Sequence, residues 1–147
     1  MFKKAFENET LESTSNVYTM EEATAEACEE MLKFIYTGVP GDIKDCVFDL
    51  LELSDMYQLK ELKAACLDSM LDNLKISNCI LIYIAVNRHA AESRIKMDIL
   101  KFMNCKVIKV IEDENWDWFL MHAPALATDM VKSIGNEKMF KHSCQFC

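Results

Sequence analysis

Glycine and proline are scarce in this sequence, with 3 glycines and 2 prolines in 147 residues. The glycines, Gly38, Gly41 and Gly135, lie too far apart to form a glycine-rich loop, so the usual phosphate cradle of nucleotide-dependent enzymes is excluded. Hydrophobic residues make up 51% and charged residues 27% of the chain. This composition predicts a globular, mainly α fold.

The sequence also has few positively charged residues relative to acidic ones, and its apolar runs are short. The chain has 16 Lys and Arg against 24 Asp and Glu, a net charge of -8, whereas binding to nucleic acid relies on an excess of cations. The longest apolar run, Cys79–Val86, is far shorter than the roughly 20 residues that span a membrane. No secretory signal follows the first lysines. We therefore expect neither nucleic acid nor a membrane as a partner.

Cysteine, by contrast, is plentiful, with 7 residues. Five of them lie among apolar residues in helix-like segments, where free cysteine behaves as a small hydrophobic side chain: Cys28, Cys46, Cys66, Cys79 and Cys105. This distribution predicts reduced thiols and an intracellular location, in the nucleus or the cytoplasm.

The first well-marked helix is predicted to follow Thr24, a plausible N-cap. Its expected core-facing stripe recurs at helical spacing: Cys28, Met31, Leu32 and Ile35. Gly38 can end this helix in the left-handed conformation, and Pro40–Gly41 then turns the chain. Asp42 is predicted to cap the next helix.

Six further apolar stripes predict six more helices, with stripes that begin at Val47, Leu59, Cys79, Ile95, Trp116 and Leu126. Ser77 is placed to cap the run Cys79–Val86, which could also be a buried strand on pattern alone. Its helical neighbours favour a helix. The stripe from Ile95 continues to Ile111, and Pro124 should end or bend the helix before it.

Only one strand is predicted, at Val17–Met20, where side chains of different character alternate. The expected architecture is a stack of antiparallel helices.

Residues suited to catalysis or metal binding are few. His89, His122 and His142 could pair with a cysteine, but no nucleophile motif supports this, so we expect no enzyme activity. A thiol-dependent enzyme remains the third alternative, and labelling by a thiol-reactive substrate analogue would reveal it. The only candidate metal ligands are His142, Cys144 and Cys147, but a structural zinc site usually needs a second ligand pair. An unstructured tail is the preferred interpretation, and no cofactor is predicted.

Two stretches carry a family resemblance, "EEMLKFIYTG" at 29–38 and "DLLELSDMYQLKELKAACLDSMLDNL" at 49–74. The phrase F-I-Y-T-G is intact, and the pattern A-D-x-Y-x-L-x-x-L-K-x-x-C recurs with Ser54 at its first position. These stretches resemble the second half of a BTB (POZ) domain, most closely in the speckle-type POZ protein (MATH-BTB) family. The resemblance implies a mainly α fold with a residual short strand.

The same resemblance implies the domain organisation. Residues 1–74 look like a partial BTB/POZ domain, residues 75–134 look like a 3-box and shortened BACK-like helices, and residues 135–147 form a tail outside the resemblance. By the same resemblance, we expect residues 1–147 to lack the strands and first helix that supply the family's dimer interface, and also to lack the MATH domain. We therefore expect a truncated product, a splice form or part of a longer protein.

The family implies a substrate adaptor of a cullin-3 RING E3 ubiquitin ligase, which recruits protein substrates for ubiquitination without bond chemistry of its own. Its φ-x-E cullin motif corresponds to Thr10, Leu11 and Glu12, with Thr10 in the place of a bulky apolar residue. Further candidate contacts with cullin-3 implied by the resemblance are Tyr36, Asn78 and Ile82.

Another departure from the family lies in the 3-box, where Arg88 replaces an apolar residue. The alternative function is a BTB-type interaction module in assembly or transcriptional regulation without cullin binding. We also expect the chain to form a homo- or hetero-oligomer with BTB domains.

Overall fold

A computed structural model describes residues 23–89 and 94–135. Within these ranges the chain forms helices and no strand, so the predicted mainly α fold is confirmed. The predicted strand Val17–Met20 lies outside the described residues. The helices are α1 (Ala25–Thr37), α2 (Val47–Met56), α3 (Lys60–Asp72), α4 (Ile76–His89), α5 (Arg94–Cys105), α6 (Val107–Ile111), α7 (Asn115–His122) and α8 (Pro124–Gly135).

The chain divides into two compact units, residues 1–66 and residues 67–147. In the first unit α1 packs against α2. As predicted, Thr24 caps α1, and its hydroxyl oxygen accepts a hydrogen bond from the N–H of Ala27. Its predicted core stripe is only partly right, because Ala27 and Met31 are buried while Leu32 and Ile35 are exposed. The buried residues are four apart, which turns the inward face away from the predicted one.

The connection between α1 and α2 differs from the prediction, because Asp42 does not cap α2. The helix starts at Val47, after a turn in which Ile43 and Cys46 are buried. Because these two apolar side chains are buried, the turn continues to Cys46 before the helix starts. The carboxylate of Asp42 lies 3.8 Å from the ammonium of Lys44 instead of capping the helix. The predicted inward face of α2, with Val47, Leu50, Leu51 and Ser54, is confirmed.

Gly41 lies close to the end of the Glu30 side chain. A Cβ atom at this position would clash with the carboxylate of Glu30 on α1. One oxygen of that carboxylate accepts a hydrogen bond from Lys33, and the other is buried without a partner among the described residues. The bare backbone of Gly41 therefore allows the α1–α2 connection to pass close to Glu30.

The end of α2 forms a Schellman motif around Gln58, which adopts a positive φ of 58°. The N–H of Leu59 bonds to the carbonyl of Ser54 at 2.8 Å, and the N–H of Gln58 bonds to the carbonyl of Asp55 at 3.2 Å. These are the paired bonds that satisfy the last carbonyls of a helix. Lys63 of α3 also forms an ion pair with Asp55, so two positions of the family pattern contact each other.

In the second unit α4 packs against α5, α6 and α7, and α8 packs against α5 and α7. The run Cys79–Val86 is helical, as predicted, and contributes most of the inward face of α4. The core is completed by apolar side chains of the other helices, including Ile99, Phe102, Met103, Val110, Trp116, Phe119 and Met130. Asn104 of α5 donates a hydrogen bond to the hydroxyl of Ser133 on α8 at 2.7 Å.

Two boundaries in this unit correct the predictions. Ser77 does not cap α4 but lies exposed inside its first turn. Asn78 performs that role, because its side-chain oxygen accepts a hydrogen bond from the N–H of Lys75 at 2.7 Å. The stripe that begins at Ile95 is divided at Lys106 into α5 and α6, because Lys106 has a non-helical backbone conformation. In the part of the chain that the structure describes, no helix is both long and apolar enough to cross a membrane.

Candidate protein-interaction surface

The C-terminal half of α1 exposes a row of apolar side chains. Tyr36 is 87% exposed, and Leu32, Ile35 and Val39 are also exposed. Their spacing of three or four residues places them on one side of the helix and its last turn. We call these four residues the α1 apolar face. Contiguous exposed apolar side chains of this kind mark sites of protein contact.

Hydrogen bonds hold the end of this face in place. Gly38 adopts the left-handed conformation at φ 71°, and its N–H bonds to the carbonyl of Phe34 at 2.8 Å. The Thr37 hydroxyl lies 2.7 Å from the carbonyl of Lys33 and accepts the N–H of Val39 at 3.2 Å. The backbone that carries Tyr36 and Val39 is therefore held in a closed turn, which lowers the backbone entropy lost when a partner binds.

Charged side chains border the face. The ammonium of Lys33 lies 2.8 Å from Glu30 and 3.1 Å from Glu29. Hydrogen bonds to Glu30 and then to Glu29 raise the pKa of Lys33. Because exposed ion pairs of this kind contribute little free energy, the apolar residues are the expected source of affinity.

The other predicted contact residues lie in different environments. Asn78 is half-buried, and besides capping α4 it donates a hydrogen bond to the carbonyl of Asn73 at 2.9 Å. Ile82 is only 2% exposed and belongs to the core of the second unit, so we leave it out of the contact surface. Thr10, Leu11 and Glu12 lie outside the described residues, and their role stays a prediction.

The buried thiols are poorly suited to nucleophilic chemistry. Burial raises the pKa of Cys66 to about 12 and that of Cys79 to about 11, and burial also raises the pKa of Cys46. These thiols therefore stay protonated at neutral pH, whereas the thiolate is the reactive form.

The described residues 23–89 and 94–135 offer no metal site. No group of three or more His, Cys, Asp or Glu side chains there could hold a metal ion. His142, Cys144 and Cys147 lie outside those ranges, so the candidate site at the tail stays a prediction.

Sequence reasoning missed most of the α1 apolar face. It singled out Tyr36 through the family resemblance but assigned Leu32 and Ile35 to the core and gave Val39 no role. An available signal was the width of the apolar surface on α1, which is greater than one packing face requires.

A helical unit with an exposed, rigid apolar face defines a protein-interaction module. A family model described as BTB/POZ domain matches residues 1–74, and the chain belongs to this family. BTB/POZ domains mediate protein–protein interactions and oligomerisation. The coarser part of the predicted function, an interaction module, is thereby confirmed.

Proposed function

We propose that this BTB/POZ protein is a non-catalytic substrate adaptor of a cullin-3 RING E3 ubiquitin ligase, of the speckle-type POZ protein (MATH-BTB) kind. In this role it binds the cullin-3 scaffold and brings protein substrates to it for ubiquitination. An intracellular location, in the nucleus or the cytoplasm, belongs to the same proposal.

The observation that carries the proposal is the exposure of Tyr36 on a fixed turn. Tyr36 is a cullin-contact candidate from the F-I-Y-T-G phrase, and its ring is 87% exposed beside Ile35 and Val39. A tyrosine of this kind offers a large apolar surface with few rotatable bonds, which is typical of residues that dominate binding energy. The α1 apolar face therefore suits a partner that supplies an apolar pocket.

The protonated state of the buried thiols supports the non-catalytic part of the proposal. Cys66 and Cys79 lack the lowered pKa that a cysteine nucleophile needs. Transfer of ubiquitin by other subunits of the ligase belongs to the same proposal. Absence of adduct after treatment with a thiol-reactive substrate analogue is the expected result.

The experiment is a calorimetric titration of the purified chain with the N-terminal domain of cullin-3. Tyr36→Ala is expected to weaken binding at least tenfold, because it removes the most exposed ring of the α1 apolar face. Ile108→Ala, which truncates another exposed large apolar side chain in the second unit, is the control and should leave affinity unchanged. The double change Leu11→Ala and Glu12→Ala tests the φ-x-E positions and should also reduce binding.

Two results would count against the proposal. Absence of cullin-3 binding by a folded chain would favour an interaction module in assembly or transcriptional regulation. Binding that is unchanged by Tyr36→Ala would remove the α1 apolar face from the contact. Binding unchanged by the Leu11 and Glu12 double change would exclude those positions alone.

A further inference from the structure

Helix α7 is apolar on both of its sides. Trp116 and Phe119 are buried and face the core, where their ring centroids lie 5.7 Å apart. Phe119 also meets Tyr83 of α4 edge-on, with centroids 6.3 Å apart. These contacts fix the inner side of α7, so the opposite side must point away from the unit. A helix that is apolar all round is normally covered on every side.

The opposite side of α7 is uncovered. Met121 is 78% exposed and Trp118 is 44% exposed, three residues apart on the same side of the helix. The ring of His122 stacks on that of Trp118, with centroids 4.5 Å apart and an interplanar angle of 16°. The Nδ1 atom of His122 lies 2.9 Å from the carbonyl oxygen of Trp118. We call Trp118, Met121 and His122 the α7 outer face; the stack holds its indole in one orientation.

Exposed carboxylates border the α7 outer face. Glu114 precedes Trp118 by four residues, and Asp117 precedes Met121 by four residues, so each carboxylate lies one turn from an apolar side chain. Glu112 is exposed just before them. Residues 107–122 contain four acidic residues and a single lysine, Lys109. The potential beside the α7 outer face is therefore negative and favours a cationic partner.

We propose that the α7 outer face binds a basic amphipathic segment of a protein partner. The apolar residues of that segment pack on Trp118 and Met121, while its Lys or Arg residues pair with Glu114 and Asp117. A methionine side chain adapts to differently shaped apolar groups, and an indole attracts cations to its face. A second copy of this chain would instead bring the same carboxylates together across a two-fold axis, which like-charge repulsion opposes.

This site is separate from the α1 apolar face, because it uses residues of the second unit only. The test is fluorescence anisotropy of the full chain with a labelled amphipathic peptide made of lysine and leucine. A peptide of the same length made of glutamate and leucine is the charge control. We expect the lysine peptide to bind at least tenfold more tightly, with an affinity that falls as salt is added.

Matched variants locate the binding on the protein. Met121→Ser and Asp117→Asn should each weaken binding of the lysine peptide about five- to tenfold. Met56→Ser and Asp68→Asn make the same chemical changes at exposed residues elsewhere and should leave the affinity unchanged. Tyr36→Ala should also leave it unchanged, which separates this proposal from cullin binding. Circular dichroism of each variant verifies the helix content.

Three outcomes would overturn the inference. The first is equal binding of the lysine and glutamate peptides. The second is an equal effect of the α7 variants and their matched controls, because nonspecific attraction to an acidic protein would then explain the binding. The third is a dimer in sedimentation that Met121→Ser dissociates, because the α7 outer face would then be covered by a second copy.

Discussion

Tyr83 combines complete burial with a hydroxyl group that has no hydrogen-bond partner among the described residues. Its ring packs edge-on against Phe119, and the ammonium of Lys96 lies 5.9 Å from its centroid. Burial, and to a lesser extent the charge of Asp129, raises the pKa of Tyr83 to about 12. The ring therefore stabilises the fold by packing. The hydroxyl group destabilises it, because it loses its hydrogen bonds to water on burial and gains none among the described residues.

Replacement of that hydroxyl gives a test at the scale of one residue. Tyr83→Phe should leave the free energy of unfolding unchanged or raise it by up to about 1 kcal/mol, because the ring contacts remain and a buried polar group is removed. Urea denaturation at pH 7 measures the change. Tyr83→Leu, which also removes the ring, should destabilise the protein by more than 1 kcal/mol. A clear loss of stability in Tyr83→Phe would mean that the hydroxyl is hydrogen-bonded in solution.

Individual positions were predicted well where burial follows from residue type alone. The buried Cys46, Cys66 and Cys79 behave as small hydrophobic side chains, as their apolar surroundings indicated. Ile82 shows the limit, because a family resemblance suggested a contact role while its side chain lies in the core. Whether an apolar residue faces a core or a partner depends on the neighbouring helices, which a local pattern does not contain.

Two helices end in the same left-handed conformation with different residues. Gly38 follows the last residue of α1, and an added Cβ there would meet no atom within 4 Å. Gln58 follows Met56, the last residue of α2, by two positions, and its side chain is exposed. The left-handed conformation destabilises a residue with a Cβ atom by about 1–2 kcal/mol, whereas it does not destabilise glycine. The end of α2 is therefore held by its Schellman hydrogen bonds against the preference of its own residue.

Substitutions at Gln58 and Gly38 test, at the scale of the helix, how much the residue in the left-handed conformation affects stability. Gln58→Gly should raise the free energy of unfolding by ~0.5 to 1 kcal/mol, since relief of strain exceeds the entropy that glycine adds to the unfolded chain. Gly38→Ala should lower it by about 1 kcal/mol through strain alone. Chemical denaturation of both variants gives the two values. Gln58→Gly removes a Cβ atom and Gly38→Ala adds one, so their effects on the free energy of unfolding should have opposite signs. Effects of the same sign would contradict the prediction.

Helix identity was predictable from apolar spacing, but several boundaries were not. Thr24 and Gly38 mark the ends of α1 as expected, because each acts through its own side chain or the lack of one. Asp42 does not cap α2, because the burial of Ile43 determines the path of the chain before the helix. The break at Lys106 gave no signal, since the apolar stripe keeps its spacing across it.

At the scale of the whole molecule, each compact unit buries a group that must stay neutral. Cys66 lies in the first unit, with a pKa of about 12, and Cys79 lies in the second, with a pKa of about 11. The ordinary thiol value is 9.0. In the unfolded chain these thiols lose their protons first, so the unfolded state binds fewer protons than the folded state above that pH.

Stability should therefore fall as the pH rises above 9 and continue to fall up to the folded-state pKa values. Each group contributes a slope of up to about 1.4 kcal/mol per pH unit. Urea denaturation at pH 7, 9 and 10.5 measures the profile. The double change Cys66→Ala and Cys79→Ala lowers stability at pH 7 by loss of packing but should make the alkaline decline shallower. An equally steep decline in that variant would exclude the thiols as its cause.

At the scale of the whole molecule, the BTB/POZ family was recognisable from the sequence, because the F-I-Y-T-G phrase and the pattern from Ser54 to Cys66 are both contained in short stretches of the chain. Lys63 and Asp55 contact each other, and Cys66 is fully buried. The α7 outer face was not foreseen, since Trp118 and Met121 are large apolar residues three apart, as are Trp116 and Phe119. Only the tertiary packing distinguishes the inner pair from the outer pair.

The close approach of Gly41 to Glu30 couples a substitution in the connection to a rearrangement on the helix. A side chain at position 41 would push aside the carboxylate of Glu30, which is the mobile end of a long side chain. The same carboxylate lies 2.8 Å from the ammonium of Lys33. An alanine at position 41 would therefore disturb this ion pair while the backbone of the connection keeps its course.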